Sequence, residues 1–269
     1  MNIGIFITAR LGSTRLARKH LLPVAGQPIM QHLLARIGRE FRDVLRAGEA
    51  ELVITTSEEA DNGLLEQYFS GSARVFYGAP TNIPMRHLEA ARAHGVGGII
   101  AVDGDDILCS VAGMRAIHQA LGAGAQYVKT AGLPFGMNSM GYRTAFLERC
   151  MHGHETDVLE TGWGRVFEET ALENIRMPVI VDDPRLRFTL DYPEDYRFFC
   201  ALADALGDRI VEATDEEVVR TVLERRLYEI TEPISQTYWQ NFHHGQESER
   251  QQSHGTAIPR AADEGRSGR

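Results

Sequence analysis

A segment near the start of the chain combines positive charge, hydroxyl groups and a glycine in a way that suits a polyphosphate ligand. Its cations are Arg10, Arg15, Arg18 and Lys19. Gly12 lets backbone amides approach a ligand closely, and the Ser13 hydroxyl can donate a hydrogen bond. Backbone amides and basic side chains together bind phosphate groups. The segment therefore predicts a polyphosphate site, with a solvated basic loop as the alternative.

The residues before this segment indicate where it lies in the fold. Residues 3–7 form an apolar run that predicts a buried strand, so the cations follow the carboxyl end of a first strand. Open α/β sheets bind their ligands at that end. The segment contains neither the G-x-x-x-x-G-K-[ST] pattern of P-loops nor the G-x-G-x-x-G pattern of dinucleotide sites. The sequence therefore excludes both of those phosphate-binding motifs.

A second apolar run, residues 98–102, leads directly into an acidic turn that contains Asp103, Asp105 and Asp106. Clustered carboxylates are costly unless a cation neutralises them. Mg²⁺ takes oxygen ligands and often lies beside phosphates. We expect Asp105 to be a metal ligand and Asp106 to have a turn or helix-capping role, whereas the role of Asp103 stays open. The alternative is that all three carboxylates cap a turn or a helix.

Three hydroxyls, those of Thr55, Thr56 and Ser57, end a strand predicted for residues 51–56. Hydroxyls at the carboxyl end of a strand can contact the base or the ribose of a nucleotide. The alternative for Ser57 is an N-cap of the helix predicted for residues 61–69. Both interpretations stay open.

The basic segment also carries a family resemblance. The pattern A-R-x-G-S-x-R-x-x-x-K-x-L is formed by Ala9, Arg10, Gly12, Ser13, Arg15, Lys19 and Leu21. It resembles the opening signature of the cytidylyltransferases that activate acidic sugars, which include the acylneuraminate and ketodeoxyoctonate enzymes. The resemblance is closest to the spore coat polysaccharide biosynthesis type and extends, with gaps, to about Leu206. Many members have Pro-Gly before the lysine, where this chain has Ala17-Arg18.

The resemblance implies roles for the other motifs. The family pattern G-D-x-P-L resembles residues 104–108, with Gly104 and Asp105 kept and Ile107 in place of the proline. The family pattern D-x-P-E-D resembles residues 191–195 and implies that Asp191 is a second metal ligand beside Asp105. Arg10, Arg15 and Lys19 would hold the β- and γ-phosphates of CTP. Arg86 would face the nucleotide, with a solvated helix arginine as the alternative.

The acceptor half of the family pattern has changed in this chain. Asn138 and Met140 stand where relatives carry carboxylates, and Trp163 stands near the position of an expected histidine. Trp163 and Arg165 could contact an acidic acceptor, although a tryptophan in such a place is more often a packing anchor. We expect a small anionic acceptor other than the usual nine-carbon sialic acids. The alternative is that other residues replace the lost contacts.

Strands that alternate with helices predict an α/β fold, a three-layer α/β/α domain with a mainly parallel sheet. The resemblance implies a nucleotide-diphospho-sugar-transferase-like fold with a small dimerisation flap, and therefore a homodimer. We expect one domain over residues 1–244, with the acceptor and dimerisation region at about 131–185. Residues 245–269 are poor in large apolar side chains and predict a disordered tail.

Composition limits the classes of function. A net charge of −9 argues against wholesale nucleic-acid binding. The chain has three cysteines without metal-binding spacing, which are typical of free thiols in a reducing cytoplasm. No apolar run reaches the length of a membrane span, and residues 1–7 are too short for a signal peptide.

The residue patterns predict Mg²⁺-dependent nucleotidyl transfer with release of pyrophosphate. The family resemblance implies a cytidylyltransferase that transfers CMP from CTP to a small anionic acceptor. One alternative is a glycosyltransferase of the same fold, because Asp103-Gly-Asp105 also fits a D-x-D metal motif. A nucleotide-sugar donor has no triphosphate, however, so the basic segment argues against that alternative. A second alternative is a nucleotide-binding homologue without activity.

Overall fold

A seven-stranded sheet forms the centre of the fold, seen in a computed structural model that describes residues 1–178, 181 and 183–255. Two further short strands form a hairpin. The strands are β1 Ile3–Thr8, β2 Pro23–Val24, β3 Gln27–Pro28, β4 Ala50–Ser57, β5 Arg74–Gly78, β6 Gly98–Asp103, β7 Tyr127–Ala131, β8 Met140–Arg143 and β9 Leu172–Arg176. The helices are α1 Ile29–Glu40, α2 Arg42–Ala47, α3 Gly63–Phe69, α4 Ile83–His94, α5 Val111–Ala123, α6 Thr144–Met151, α7 Pro193–Leu206, α8 Asp215–Glu224 and α9 Glu232–Gly255.

The strand order is β5-β4-β1-β6-β8-β7-β9, and most neighbours are parallel. β1 pairs in parallel with both β4 and β6, so the carboxyl ends of these strands meet at one edge. β8 is antiparallel to β6 and β7. The predicted α/β class with a mainly parallel sheet is confirmed.

Apolar side chains divide between the two faces of the sheet, as β1 illustrates. Ile3, Ile5 and Ile7 belong to the cluster that includes α1 and α5, whereas Phe6 belongs to the cluster with α4 and α6. Because helices cover both faces of the sheet, the sequence of β1 is a nearly continuous apolar run rather than an alternating one. A third apolar cluster joins α7 and α8 to the segment 186–190.

Three parts of the sequence-based prediction differ from the structure. β8 and β9 were not expected, because each is short and β8 begins inside a segment rich in turn formers. The segment 185–190, just before the D-x-P-E-D pattern, contains an isolated bridge between Phe135 and Arg187 rather than a strand. Residues 245–255, predicted to be disordered, are the end of helix α9, which contacts the domain through Tyr238 and Glu249. The rest of the predicted tail, residues 256–269, lies outside the described residues.

Other expectations concern assembly and membranes. The dimerisation flap at residues 131–185, part of which lies outside the described residues, stays a prediction, as does the homodimer. Cys109, Cys150 and Cys200 are free thiols, as expected. Within the described part of the chain, no helix has both the length and the apolar character that a membrane span requires.

His87, on α4, is fully buried next to the sheet and gives stability a pH dependence. Its ring nitrogens lie 2.9 Å from Thr8 Oγ1 and 2.6 Å from the Tyr142 hydroxyl. Burial, with a further contribution from the charge of Arg86, lowers the pKa of His87 to about 3. The unfolded chain therefore binds a proton that the folded chain does not, at pH values between the two pKa values. Stability should be lost as the pH falls below about 6.5.

We expect His87 to reduce the free energy of unfolding by about 2 kcal/mol between pH 7 and pH 5, since each pKa unit is worth about 1.4 kcal/mol. Urea unfolding at both pH values measures this difference. The His87→Gln variant should show a smaller dependence on pH, and His152→Gln, at an exposed position, should match the wild-type protein. An unchanged pH dependence in His87→Gln would contradict the assignment.

Candidate functional site

The side-chain ammonium of Lys19 lies between two carboxylates. Its Nζ is 2.5 Å from Asp105 Oδ2 and 3.0 Å from Asp191 Oδ1, and the lysine is only 7% exposed. Burial alone would lower the pKa of Lys19, but the charges of Asp105 and Asp191 outweigh it and raise the pKa. The ion-paired lysine therefore stays charged, and it joins three segments that are far apart in the sequence.

The sheet brings these three residues together. Lys19 begins a short 3₁₀ helix in the segment after β1, and Asp105 follows β6, the parallel neighbour of β1. Asp191 precedes α7, and the amide of the adjacent Leu190 donates to the carbonyl of Asp105 at 3.0 Å. All three therefore lie at the carboxyl edge of the sheet, where α/β folds bind ligands.

Gly104 permits the close contact between the acidic turn and the basic segment. Its amide donates to the Thr8 carbonyl at 2.8 Å. A Cβ at this position would lie 2.9 Å from that carbonyl oxygen and 3.1 Å from the Ala9 Cβ. Any larger residue would thus push the turn that carries Asp105 away from β1. Gly104 has a spacing role here.

His20 is a site residue that the sequence did not single out. It is fully buried, and its Nε2 lies 3.4 Å from Asp105 Oδ1. Burial, reinforced by the charge of Lys19, lowers the pKa of His20 to about 3. The imidazole is therefore neutral and does not neutralise Asp105. Its position next to Lys19 was the only signal in the sequence.

Carboxylate side chains outnumber cationic side chains in this site. Burial raises the pKa of Asp105 to about 6, against the opposing charge of Lys19. Burial and neighbouring carboxylates also raise the pKa of Asp103 and place that of Asp106 well above its usual value. Asp191 differs: burial would raise its pKa, but Lys19 and Arg15 outweigh burial and lower it. A further cation would relieve this excess of carboxylates.

The structure brings only part of the predicted phosphate-binding set together. The half-exposed Arg15 pairs with Asp191 at 2.9 Å, next to Lys19. Arg10 instead pairs with Glu160 at 2.7 Å, and Arg18 pairs with Asp61 at the surface. The Ser13 hydroxyl accepts a hydrogen bond from the Leu16 amide, which shapes the loop.

Asp191 is held in place by a buried pair. Arg187 donates to Asp195 at 2.9 Å, and the same Asp195 oxygen accepts hydrogen bonds from the amides of Asp191 and Tyr192. This arrangement fixes the backbone that carries Asp191 at the start of α7. Arg187 therefore anchors the segment that carries Asp191.

The hydroxyls at the end of β4 are fully buried. No described residue hydrogen-bonds with Thr55 Oγ1 or Thr56 Oγ1, whereas Ser57 Oγ accepts a hydrogen bond from Asn62. Ser57 does not cap α3, which begins at Gly63. It lines a cavity of about 460 Å³ together with Glu58, Glu59, Gly78, Ala79, Pro80 and Glu89.

The basic segment lies against this cavity. A Cβ added at Gly12 would be 2.9 Å from Glu59 Oε2, so the loop and the cavity wall are in close contact. The Ala9 amide donates to the Thr55 carbonyl at 3.2 Å. The predicted phosphate loop and the predicted nucleoside contacts are therefore adjacent.

Arg86 is buried at the rim of the same cavity. Its guanidinium donates to the carbonyls of Ala79 and Pro80, each at 2.8 Å. The alternative of a solvated helix arginine is therefore wrong, because the side chain is only 1% exposed. Arg86 stabilises the cavity rim, whereas a direct contact with nucleotide stays a prediction.

A smaller cavity, of about 180 Å³, lies on the other side of the acidic turn. Its lining residues are Ala101, Asp103, Asp106, Lys129, Thr130, Asn138, Ser139, Met140 and Trp163. Trp163 is a packing anchor that also donates from Nε1 to Asp103 at 3.4 Å. Asn138 and Met140, the two positions where carboxylates were expected, both line the cavity. Lys129 and Thr130 were not predicted.

Arg165 is not among the residues that line the smaller cavity. It pairs with Glu249 of α9 at 2.8 Å and donates to the carbonyls of Thr161 and Val158. The expected contact between Arg165 and an acceptor would require these bonds to break. The partner residue lies in the segment predicted to be disordered, so this ion pair was not predictable from local patterns.

The described residues include no group of three or more His, Cys, Asp or Glu side chains arranged to hold a metal ion. Two carboxylates, those of Asp105 and Asp191, do converge on a single cation. Mg²⁺ is often bound by one or two carboxylates together with substrate phosphates and water. The residues present therefore fit a metal that is completed by its substrate.

Comparisons with known proteins agree with this geometry. The sequence model of a family described as cytidylyltransferase matches residues 4–155. An uncharacterised protein of Methanocaldococcus jannaschii is 28% identical over 197 residues, covering 71% of this chain and 72% of the relative. A cytidylyltransferase structure from Leptospira borgpetersenii covers 85% of this chain and 96% of its own, with a TM-score of 0.72 and 20% identity.

A second structure, CMP:2-keto-3-deoxy-manno-octonic acid synthetase complexed with CTP, has a TM-score of 0.52 and 15% identity. It covers 76% of this chain and 99% of its own. At these identities the two structural matches show a shared fold.

The structure predicts that Arg86 is needed for stability. Replacing it with methionine would leave two buried carbonyls without donors, so the Arg86→Met variant should lose about 2–3 kcal/mol of the free energy of unfolding. The matched control is Arg92→Met, on the same helix, whose exposed arginine pairs with Glu148. It should change stability by less than about 0.5 kcal/mol. Equal effects in urea unfolding would show that the Arg86 contacts are not structural.

Proposed function

The chain belongs to the cytidylyltransferase family, whose sequence model matches more than half of its length, and we propose that it transfers CMP from CTP to a small anionic acceptor. The observation that carries this proposal is the buried Lys19 bridge to Asp105 and Asp191, with Arg15 beside it. Two cations and two carboxylates at one sheet edge suit a triphosphate with its metal. We also place the chain nearest the spore coat polysaccharide type, on the pattern of its basic segment.

The reaction joins an acceptor oxygen to the α-phosphorus of CTP. The bond from that phosphorus to the β-phosphate oxygen breaks, and pyrophosphate leaves. Such a transfer depends mainly on positioning and on the neutralisation of charge. Lys19 and Arg15 would bind the β- and γ-phosphates, and the backbone at Ala9, Gly12 and Ser13 would line the phosphate path. Arg10 would join them after leaving Glu160.

Asp105 and Asp191 would hold Mg²⁺. The carboxylates already converge on one cation, and burial leaves Asp105 with a raised pKa that a metal would relieve. When bound, the metal neutralises phosphate charge and supports the leaving group. Lys19 then acts as a fixed positive charge between the same two carboxylates, and the neutral His20 keeps Asp105 oriented without competing for charge.

The larger cavity supports the placement of the nucleoside. It lies against Gly12, and its volume of about 460 Å³ is within the range of ligand pockets, roughly 300–1,000 Å³. Ser57 lines it, and Arg86 holds its rim through Ala79 and Pro80. Thr55 and Thr56 have hydroxyls without partners among the described residues, so a local shift could offer them to ribose. The choice of cytosine follows from the family.

The smaller cavity supports a small acceptor. Its volume of about 180 Å³ is below that range, so a nine-carbon sugar acid would not fit inside it entirely. Asn138 and Met140 make its wall less acidic than the carboxylates that relatives carry at these positions. We therefore propose a small keto-sugar acid or a hydroxyalkylphosphonate as acceptor.

The decisive experiment measures pyrophosphate release from CTP, UTP, ATP and GTP in the presence of Mg²⁺. The acceptors are 2-keto-3-deoxyoctonate, N-acetylneuraminate and 2-hydroxyethylphosphonate. We expect release with CTP and with one of the small acids, and much slower release with N-acetylneuraminate. Efficient transfer to N-acetylneuraminate would contradict the acceptor size, and no release under any condition would contradict nucleotidyl transfer.

Two variants control this assay. Asp105→Asn and Asp191→Asn each remove one ligand charge and little volume, so both should fold and lose at least about 100-fold in turnover. Circular dichroism and the unfolding midpoint check the fold. Full activity in either variant would show that the two carboxylates do not share a metal.

Arg15 tests the phosphate assignment because its side chain is half-exposed, whereas loss of Lys19 would leave two buried carboxylates unpaired. Arg15→Gln should weaken binding of CTP about 10-fold or more but change CMP binding little, since its proposed partners are the outer phosphates. The control Arg197→Gln removes an exposed arginine on α7. Isothermal titration with both nucleotides measures the difference. Equal loss for CTP and CMP would indicate a structural loop.

A further inference from the structure

Lys129, the middle residue of β7, lines the smaller cavity. In the sheet register, Lys129 of β7 pairs with Met140 of β8, which pairs with Ala101 of β6. These three residues form one row across the sheet. Asp103 lies two positions beyond Ala101, and residues two apart on a strand share a face. The lysine and Asp103 are therefore on the same face of the sheet.

The charge of Glu169 acts on the ammonium of Lys129, but burial outweighs it and lowers the pKa of the lysine. No ion pair joins it to any residue in the described ranges 1–178, 181 and 183–255, and its nearest aromatic contact is the Tyr127 ring, whose centroid is 5.3 Å from Nζ. The side chain is half-buried. A partly buried charge without an ion pair costs free energy, so its presence next to a cavity needs an explanation.

The composition of the chain adds a second observation. Of 28 Lys and Arg residues, only Lys19 and Lys129 are lysines. All other cations are arginine, including those that form surface ion pairs. Lysine is a compact point charge, whereas arginine is a broad planar donor that would fill more of a small cavity. Lys19 already occupies the proposed reaction centre, and Lys129 lines the cavity that Asp103 and Asp106 also line.

We propose, resting on the proposed function, that Lys129 binds the anionic group of the acceptor and thereby sets both its specificity and its orientation. Asp103 and Asp106 line the same cavity and flank Asp105 in the sequence. An acceptor with its acid group on Lys129 directs its hydroxyl groups toward these carboxylates, which accept hydrogen bonds. Its attacking oxygen then faces the centre formed by Lys19, Asp105 and Asp191.

The test compares charged and uncharged acceptors. Each probe is used as the free acid and as a neutral ester that keeps the hydroxyl groups and adds only methyl groups. The pairs are 2-keto-3-deoxyoctonate with its methyl ester and 2-hydroxyethylphosphonate with its dimethyl ester. Pyrophosphate release gives KM for each acceptor and, separately, for CTP. The variants are Lys129→Met, which keeps the length of the side chain, and Lys129→Arg, which keeps the charge.

We expect the wild-type protein to prefer the acid over its ester by about 10-fold or more, the effect of one hydrogen bond between charged groups. Lys129→Met should raise KM for the acid until the preference disappears, with KM for CTP and the unfolding midpoint unchanged. Lys129→Arg should recover part of the preference. A merely structural lysine would affect acid and ester equally.

The possible failures are distinct. If Lys129→Met retains the preference for the acid, or if the wild-type protein uses acid and ester equally well, the inference is wrong while nucleotidyl transfer stands. If the wild-type protein releases no pyrophosphate with any acceptor, the proposed function is wrong, and the role of Lys129 as an acceptor-binding residue is wrong with it.

Discussion

The buried bridge of Lys19 to Asp105 and Asp191 is the interaction on which the rest of the site depends. It joins the segment after β1, the turn after β6 and the start of α7. Removing Lys19 from this bridge should cost about 3–5 kcal/mol, because two buried carboxylates would be left without their cation. The glycine at position 104 and the Arg187–Asp195 pair serve this contact, since they set the distances at which the carboxylates meet the lysine. Stability and proposed chemistry therefore use the same three side chains.

Long periodic segments were predicted well from sequence. β1 and β6 were placed within a residue or two, because strands buried on both faces are nearly continuous apolar runs. The family resemblance implied that Asp105 and Asp191 lie together, whereas the ion pairs of both with Lys19 were not predicted. β8 and β9 were missed because short strands are stabilised by their neighbours in the sheet rather than by a local pattern.

The errors at the site have a common physical origin. Arg165 was assigned to the acceptor, but its partner Glu249 lies 84 residues away in a helix that had been predicted as disordered. Arg10 likewise pairs with Glu160, 150 residues distant. Lys129 is a single lysine inside a strand, and no local pattern distinguishes it from a solvated residue. Sequence motifs indicate which residues carry charge, whereas the tertiary structure decides which charges are already neutralised.

The bridge also has a consequence for the order in which the chain folds during its synthesis. Lys19 and Asp191 are separated by 172 positions, so Lys19 leaves the ribosome well before Asp191 is synthesised. The parallel strands β1, β4 and β6 can pair while α7 is still unmade, yet the lysine then faces only one of its two carboxylates. Contacts of such long sequence separation form late, after the loop-closure entropy has been overcome. A nascent chain in which these strands have paired would thus have the basic segment in place, but Asp191 would not yet have joined Lys19 and Asp105. The nucleotide should therefore stabilise only a chain that has emerged beyond α7.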